Sequence, residues 1–355
     1  MRKNILVIFT GGTICTSIQD GVMSTDASAT SALMELFYKS DSAYKDCVTL
    51  KKGDFFNTLS ENMTIDKWNV LIEHFQEITP SFSQYDGIII AHGTDTLAYS
   101  CALFSLLLKG LSIPVIFVSS NNSILCEDGT PNPAANGADN FRAAIECICK
   151  GVAPDVYATY KNTEDSRMYL HKAEQLIQCA IYDDNFYSSG AIDISDIESV
   201  PFDTVEAYSK VSPDALPIMR MNGKRLTDCV LKVNPYVGLN YDVFNLQGVR
   251  AVLHGTYHSG TSCVMRTDES PSYSRSSILY FFDKCASNNI PFYYSPSRTG
   301  AEHTVYASVP FIEAHQCNGQ KIRFCYGQTD ELMYAKLLIA YSTGLSESET
   351  EDFTK

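Results

Sequence analysis

The stretch GIIIAHGTDTLAYSCALFSLLLKG, residues 87–110, decides the fold. Its first residues form an unbroken apolar run. A strand with one wet face alternates apolar and polar residues, so a continuous run marks a strand covered on both faces. From Thr96 the pattern becomes a largely buried helix, stopped at Gly110 by the residue best suited to a left-handed helix end. Between the two lies His92-Gly93-Thr94-Asp95-Thr96. Capping a helix takes one hydroxyl or carboxylate. Thr96 is the expected cap, which leaves Thr94 and Asp95 as a chemical corner.

The same alternation extends outward. Residues 4–9, 86–91, 114–120 and 155–160 read as strands, and 65–78, 96–110 and 138–151 as helices. In 65–78, Ile65, Trp68, Leu71, Ile72 and Phe75 fall on one helical face. Strands alternating with helices predict a parallel sheet with helices on both faces. Texture changes near residue 185, so 1–190 is the expected larger domain and 191–227 the expected linker. Beyond it, strands at 229–236, 248–255 and 290–295 and helices at 274–289 and 329–342 predict a smaller α/β domain over 228–355. Thr329 or Asp330 is the expected cap of the last helix.

Bulk chemistry narrows the function. The net charge of -14 disfavours nucleic acid as a partner. No apolar run approaches membrane-spanning length, and NILVIF (4–9) is too short for a signal-peptide core, so a cytoplasmic location is expected. The twelve cysteines include no CxxC pair and read as reduced, mostly buried thiols. The seven histidines include no HExxH, so no metal site is expected.

Ligands of open parallel sheets bind beyond the carboxyl ends of the strands. Those ends carry TGGTI (10–14), HGTDT (92–96) and SSNNS (119–123). Paired glycines let bare backbone approach a ligand. Thr13 and Thr94 supply hydroxyls, which need an activating neighbour to act as nucleophiles. TGGTI near the start and HGTDT some eighty residues later resemble the bacterial and archaeal L-asparaginase family. LSENMTIDKW (59–68) resembles that family's substrate loop, and YDGIIIAHGTDTLAYSCALFSLLL (85–108) its cytoplasmic type I branch. The resemblance covers about residues 1–190 well and 228–345 more faintly.

This resemblance implies the two-domain asparaginase-type α/β fold, with a larger N-terminal domain and a smaller C-terminal one. It implies hydrolysis of L-asparagine to L-aspartate and ammonia without a cofactor. Thr13 stands where the family's attacking threonine stands. Thr94, Asp95 and Lys172 match its second triad, and which threonine attacks first stays open. Asp95 would hold the substrate's α-amino group and Ser60 its α-carboxylate. Glu61 adds a carboxylate beside them, and Gly12 and Gly93 border the substrate. A homodimer or homotetramer is implied by the family. His258 and Ser259, in HGTYHSGTS, match by position the place where a neighbouring subunit completes the site, and a structural turn is the expected role of both.

The chain also departs from the pattern. No aromatic residue lies between Phe9 and Phe37, so the lid loop lacks its tyrosine. SSNNS and the following DGTPNPAANG (128–137) replace a shorter wall, and Tyr169 replaces the arginine three before the lysine. These differences keep two other readings open: an amidase for a modified asparagine or glutamine, and a non-catalytic amino-acid-binding protein. Ser-Glu-Asn (60–62) also looks like the asparaginase-like subunit of the archaeal tRNA-dependent amidotransferase. That reading ranks lower because the chain is acidic and starts directly at its first strand.

Overall fold

The computed structural model describes residues 2–19, 22–25, 27–202, 212–221, 223–267, 272–297 and 306–355. It divides into two compact units, Met1–Gly223 and Lys224–Lys355. The division falls within the stretch 191–227 expected as a linker. Residues 191–202 of that stretch belong to the first unit: Ile192–Asp193 forms an edge strand, and Ile194 and Val200 join the core.

The first unit is built on strands β1 (Lys3–Gly11), β2 (Val48–Thr58), β3 (Gly87–Ala91), β4 (Val115–Val118), β5 (Val156–Lys161), β6 (Met168–Lys172) and β7 (Ile192–Asp193). They form one sheet in the order β7-β6-β5-β4-β3-β1-β2. The pairs from β2 to β5 are parallel, and β6 and β7 are antiparallel additions at one edge. The helices are α1 (Ala27–Lys39), α2 (Ile65–Ile78), α3 (Leu97–Leu107) and α4 (Gly137–Lys150).

β3 and β4 are buried at every position, as the unbroken apolar runs require. On one face Val7, Phe9, Ile89 and Ile116 cluster with Leu33 and Phe37 of α1 and Phe141 and Ile145 of α4. On the other, Phe117 meets Phe104 of α3, which meets Phe75 of α2. α2 spans 65–78 as its periodicity predicts, and Thr64 caps it by accepting from Lys67 N. Burying one such aromatic or aliphatic side chain contributes about 1.5–3 kcal/mol, so these two layers hold the strand ends rigidly.

The register aligns the functional loops. Phe9 is level with Ala91, Ala91 with Val118, and Val118 with Thr159. The segments that follow β1, β3, β4 and β5 therefore emerge side by side at the carboxyl edge.

The second unit is a four-stranded parallel sheet of β8 (Val230–Val233), β9 (Ala251–His254), β10 (Phe292–Ser297) and β11 (Arg323–Tyr326), with α5 (Ile278–Ser287) and α6 (Asp330–Thr343). Of the two caps open for α6, the structure selects Thr329, which accepts from Leu332 N.

Candidate active site

Two glycines decide how close the strand ends come. Gly12 has φ 75°, and a Cβ on it would lie 2.2 Å from Gly93 Cα. A Cβ on Gly93 would lie 2.3 Å from Ser60 Oγ. Three loops, after β1, β2 and β3, thus touch through bare backbone. Gly12 N donates to Thr58 O at 2.9 Å, and Thr10 Oγ1 donates to Ala91 O at 3.0 Å.

The contact gathers most of the expected residues. Thr13 follows Gly12 directly and is half-buried, while Thr94 and Asp95 follow Gly93. Ser60 is buried, and its Oγ donates to Asp95 Oδ2 at 2.9 Å. The exposed Glu61 adjoins it. Thr96 holds the N-cap position of α3, but its hydroxyl donates to Ser60 O at 3.1 Å instead of capping. The cap comes from a residue that the sequence did not announce. Gln178 Oε1 accepts from Ala98 N at 3.1 Å, and its Nε2 donates to Thr94 O at 2.8 Å.

Beneath the corner a relay fixes the Gly93 peptide. Trp68 Nε1 donates to Ser100 Oγ at 2.9 Å, which meets His92 Nε2 at 2.9 Å. His92 Nδ1 meets Gly93 O at 2.8 Å. A carbonyl only accepts, so Nδ1 carries the proton and Nε2 accepts from Ser100. Burial pushes His92 down to about 4, which keeps the ring neutral.

Lys172 is not brought to this corner. β6 runs antiparallel to β5, with Met168 opposite Lys161 and Lys172 opposite Tyr157. The hairpin therefore carries Lys172 back toward the amino ends of the parallel strands. It lies three strands from β3, about 14 Å across the sheet at ordinary strand spacing. There it is exposed and counters the rise that burial gives the Asp155 carboxyl. Gln178, six residues later, stands beside Thr94 in its stead.

The corner opens into a cavity of about 470 Å³, lined by Thr94, Asp95, Gln178, Tyr160, Asp183 and Asp184, among others. Ile181 and Tyr182 are fully exposed at its rim. The SSNNS segment turns its polarity inward. Asn121 and Asn136 exchange bonds, Ser123 Oγ donates to Thr16 O, and Asn140 Nδ2 donates to Ser119 O. The expected lid loop, 15–30, lies partly outside the described residues. In the second unit, His258 is exposed in a turn where Ser259 bonds Thr261 at 3.0 Å.

All twelve cysteines are free. Among the described residues no group of three or more His, Cys, Asp or Glu is placed to hold a metal ion, and no helix is long and apolar enough to cross a membrane.

This architecture has known counterparts. The family described as "Asparaginase, N-terminal" matches residues 4–189, just over half of the chain. The chain belongs to the asparaginase family. Its fold is similar to that of the thermostable L-asparaginase from Thermococcus kodakarensis, with TM-score 0.69 at 19% identity, covering 99% of this chain and 96% of that one. L-asparaginase I from Vibrio cholerae gives 0.66 at 18% identity, covering 100% and 97%. Among curated proteins, a glutamyl-tRNA(Gln) amidotransferase subunit from Methanothermobacter thermautotrophicus is 23% identical over 260 residues, 71% of this chain and 56% of that protein. Its counterpart from Methanococcus maripaludis is 22% identical over 234 residues, 65% of this chain and 51% of that protein. The chain spans about half the length of these curated relatives.

Proposed function

We propose that the chain is a threonine amidohydrolase that converts L-asparagine to L-aspartate and ammonia. The observation that supports this reading is the Gly12–Gly93 contact, which brings together the loops that carry Thr13, Ser60, Thr94 and Asp95 at the carboxyl edge of the sheet. Thr13 Oγ1 bonds to the side-chain amide carbon, and its proton passes to the nitrogen, which leaves as ammonia. Water then cleaves the resulting ester, releasing L-aspartate and restoring the hydroxyl. Asp95 holds the α-ammonium, assisted by Glu61, and Ser60 the α-carboxylate. Gly12 and Gly93 border the substrate, and their bare backbone lets the loops close on each other. No cofactor is needed for this chemistry. A cytoplasmic homodimer or homotetramer is the assembly we infer.

Two observations support other readings. Lys172 stands away from the corner, which favours a binding protein that has kept the fold. A cavity of about 470 Å³ favours an amide larger than asparagine. A role like that of the amidotransferase relatives follows from their names, and the net charge of -14 weighs against an RNA partner. Ammonia release from L-asparagine, L-glutamine and N4-alkylated asparagines, read beside thermal stabilisation by the same compounds, separates these readings. Stabilisation without ammonia from any of them would leave a binding protein.

A further inference from the structure

We propose that the cleft between β2 and α2 binds a small monocarboxylate with an apolar body, at a site apart from the corner that holds Thr94 and Asp95. The inference stands whether or not the chain is an amidohydrolase.

The cleft holds about 180 Å³. A dry cavity of about 150 Å³ admits benzene, so the space suits one ring or a short branched chain. Phe56 of β2 and Met63, Val70 and Leu71 supply carbon to its lining. Its two threonine hydroxyls are spent inside the protein: Thr10 Oγ1 donates to Ala91 O at 3.0 Å, and Thr58 Oγ1 to Phe56 O at 3.3 Å. A ligand body rich in hydroxyls would lose its bonds to water there without replacement, so an apolar body fits better. Val70 is 46% exposed, although the buried face of α2 is already built from Trp68, Leu71, Ile72 and Phe75. The Phe56 side of the cleft is braced. His74 packs edge-on against the Phe56 ring at 5.2 Å, and Asp54 holds His74 Nδ1 at 3.2 Å.

Lys67 sets the charge of the ligand. It is half-buried and is the one ionisable residue in the lining. Lys39, Lys150, Lys161 and Lys232 each meet a carboxylate, whereas the Lys67 ammonium has no partner among the described residues. An uncommitted ammonium offers three donors to an anionic head. It balances one negative charge, and the net charge of -14 repels a ligand that carries more, so the head is a carboxylate and not a phosphate. Thr58 joins the cleft to the corner, since Gly12 N donates to Thr58 O at 2.9 Å. A ligand in the cleft packs against the residue that anchors the Gly12 loop.

The test is an NMR-monitored titration of the full chain with phenylacetate and isovalerate, beside the matched alcohols phenylethanol and isoamyl alcohol. It is repeated in Lys67→Met, Val70→Glu and Thr94→Ala. Both carboxylates are expected to bind with Kd of about 0.1–10 mM, the range open to about ten heavy atoms, and the alcohols more weakly. Lys67→Met lowers carboxylate affinity about 2–5-fold, the worth of a partly exposed ion pair, and abolishes the preference over the alcohols. Val70→Glu changes an exposed helix position three residues from Lys67, so it offers the ammonium an internal carboxylate. It is expected to melt near the wild-type temperature and to weaken binding at least about 5-fold. Thr94→Ala leaves the affinity unchanged. No saturable binding up to about 50 mM overturns the inference. So do alcohols that bind as well as the carboxylates, affinity unmoved by Lys67→Met and Val70→Glu, or a loss in Thr94→Ala as large as in Val70→Glu, which would place the ligand at the corner.

Discussion

Gly93→Ala puts a single methyl where Ser60 stands. The new Cβ lies 2.3 Å from Ser60 Oγ and 2.5 Å from Ser60 Cβ, with Gly12 Cα at 3.0 Å. Real Cβ atoms do not approach so closely, so Ser60 must move. Moving it breaks the 2.9 Å bond to Asp95 and the weaker one from Asp95 N. Overpacking costs about 1–3 kcal/mol, and losing a hydrogen bond to a charged group about 1.5–3 kcal/mol. Because Asp95 is exposed, the second cost falls at the low end, and the total is about 2–4 kcal/mol. Urea unfolding, with Trp68 as the sole tryptophan, measures the stability. A double-mutant cycle with Ser60→Gly isolates the cause. Removing Ser60's side chain is expected to return at least about 1 kcal/mol of the loss, though not activity. A Gly93→Ala protein within about 0.5 kcal/mol of wild type, or strict additivity in the cycle, would refute the close approach of these loops.

Other predictions follow from the same geometry. Ser100→Ala strands Trp68 Nε1 and His92 Nε2 in a buried setting and is expected to cost about 2–4 kcal/mol with a shifted Trp68 emission, measured by fluorescence-monitored unfolding. Burial holds His92, His171 and His254 each near 4 in the folded chain, below the unfolded value of 6.5. The unfolded chain then binds more protons between pH 6.5 and 4, so stability is complete above that window and falls as pH drops through it, by on the order of 3 kcal/mol per histidine. Urea midpoints that stay flat from about pH 7 to about pH 4 would contradict this. Lys172→Met is expected to leave ammonia release within about two-fold of wild type, since exposed positions away from a site are usually silent. Gln178→Ala, which frees Thr94 O and the Ala98 N–H, is expected to lower it and to cost the helix start about 1 kcal/mol.

The sequence made the corner legible because its signals are local. An unbroken apolar run, a glycine and a polar cluster can be read within the single stretch 87–110. α2 and a cap at Thr329 or Asp330 were readable for the same reason, and the structure chose Thr329. What escaped depends on register. Lys172 matched a pattern along the chain, yet strand pairing sets it level with Tyr157, toward the amino ends of the parallel strands. Gln178 reaches Thr94 only because the chain doubles back after that strand, and nothing in EQLIQCA (174–180) marks it. Val48–Thr58 escaped as a strand because KKGD (51–54) interrupts its pattern at an edge of the sheet, where polar residues are tolerated.

The most direct test of the central claim is ammonia release from L-asparagine by the purified chain beside its Thr13→Ala and Thr94→Ala variants, each confirmed folded by its unfolding curve. Steady release by wild type is expected, with a loss of at least about 1,000-fold in both variants, because each removes a nucleophile or its partner in one catalytic unit. Release that survives either substitution, or that never appears in wild type, would contradict a threonine amidohydrolase at this corner.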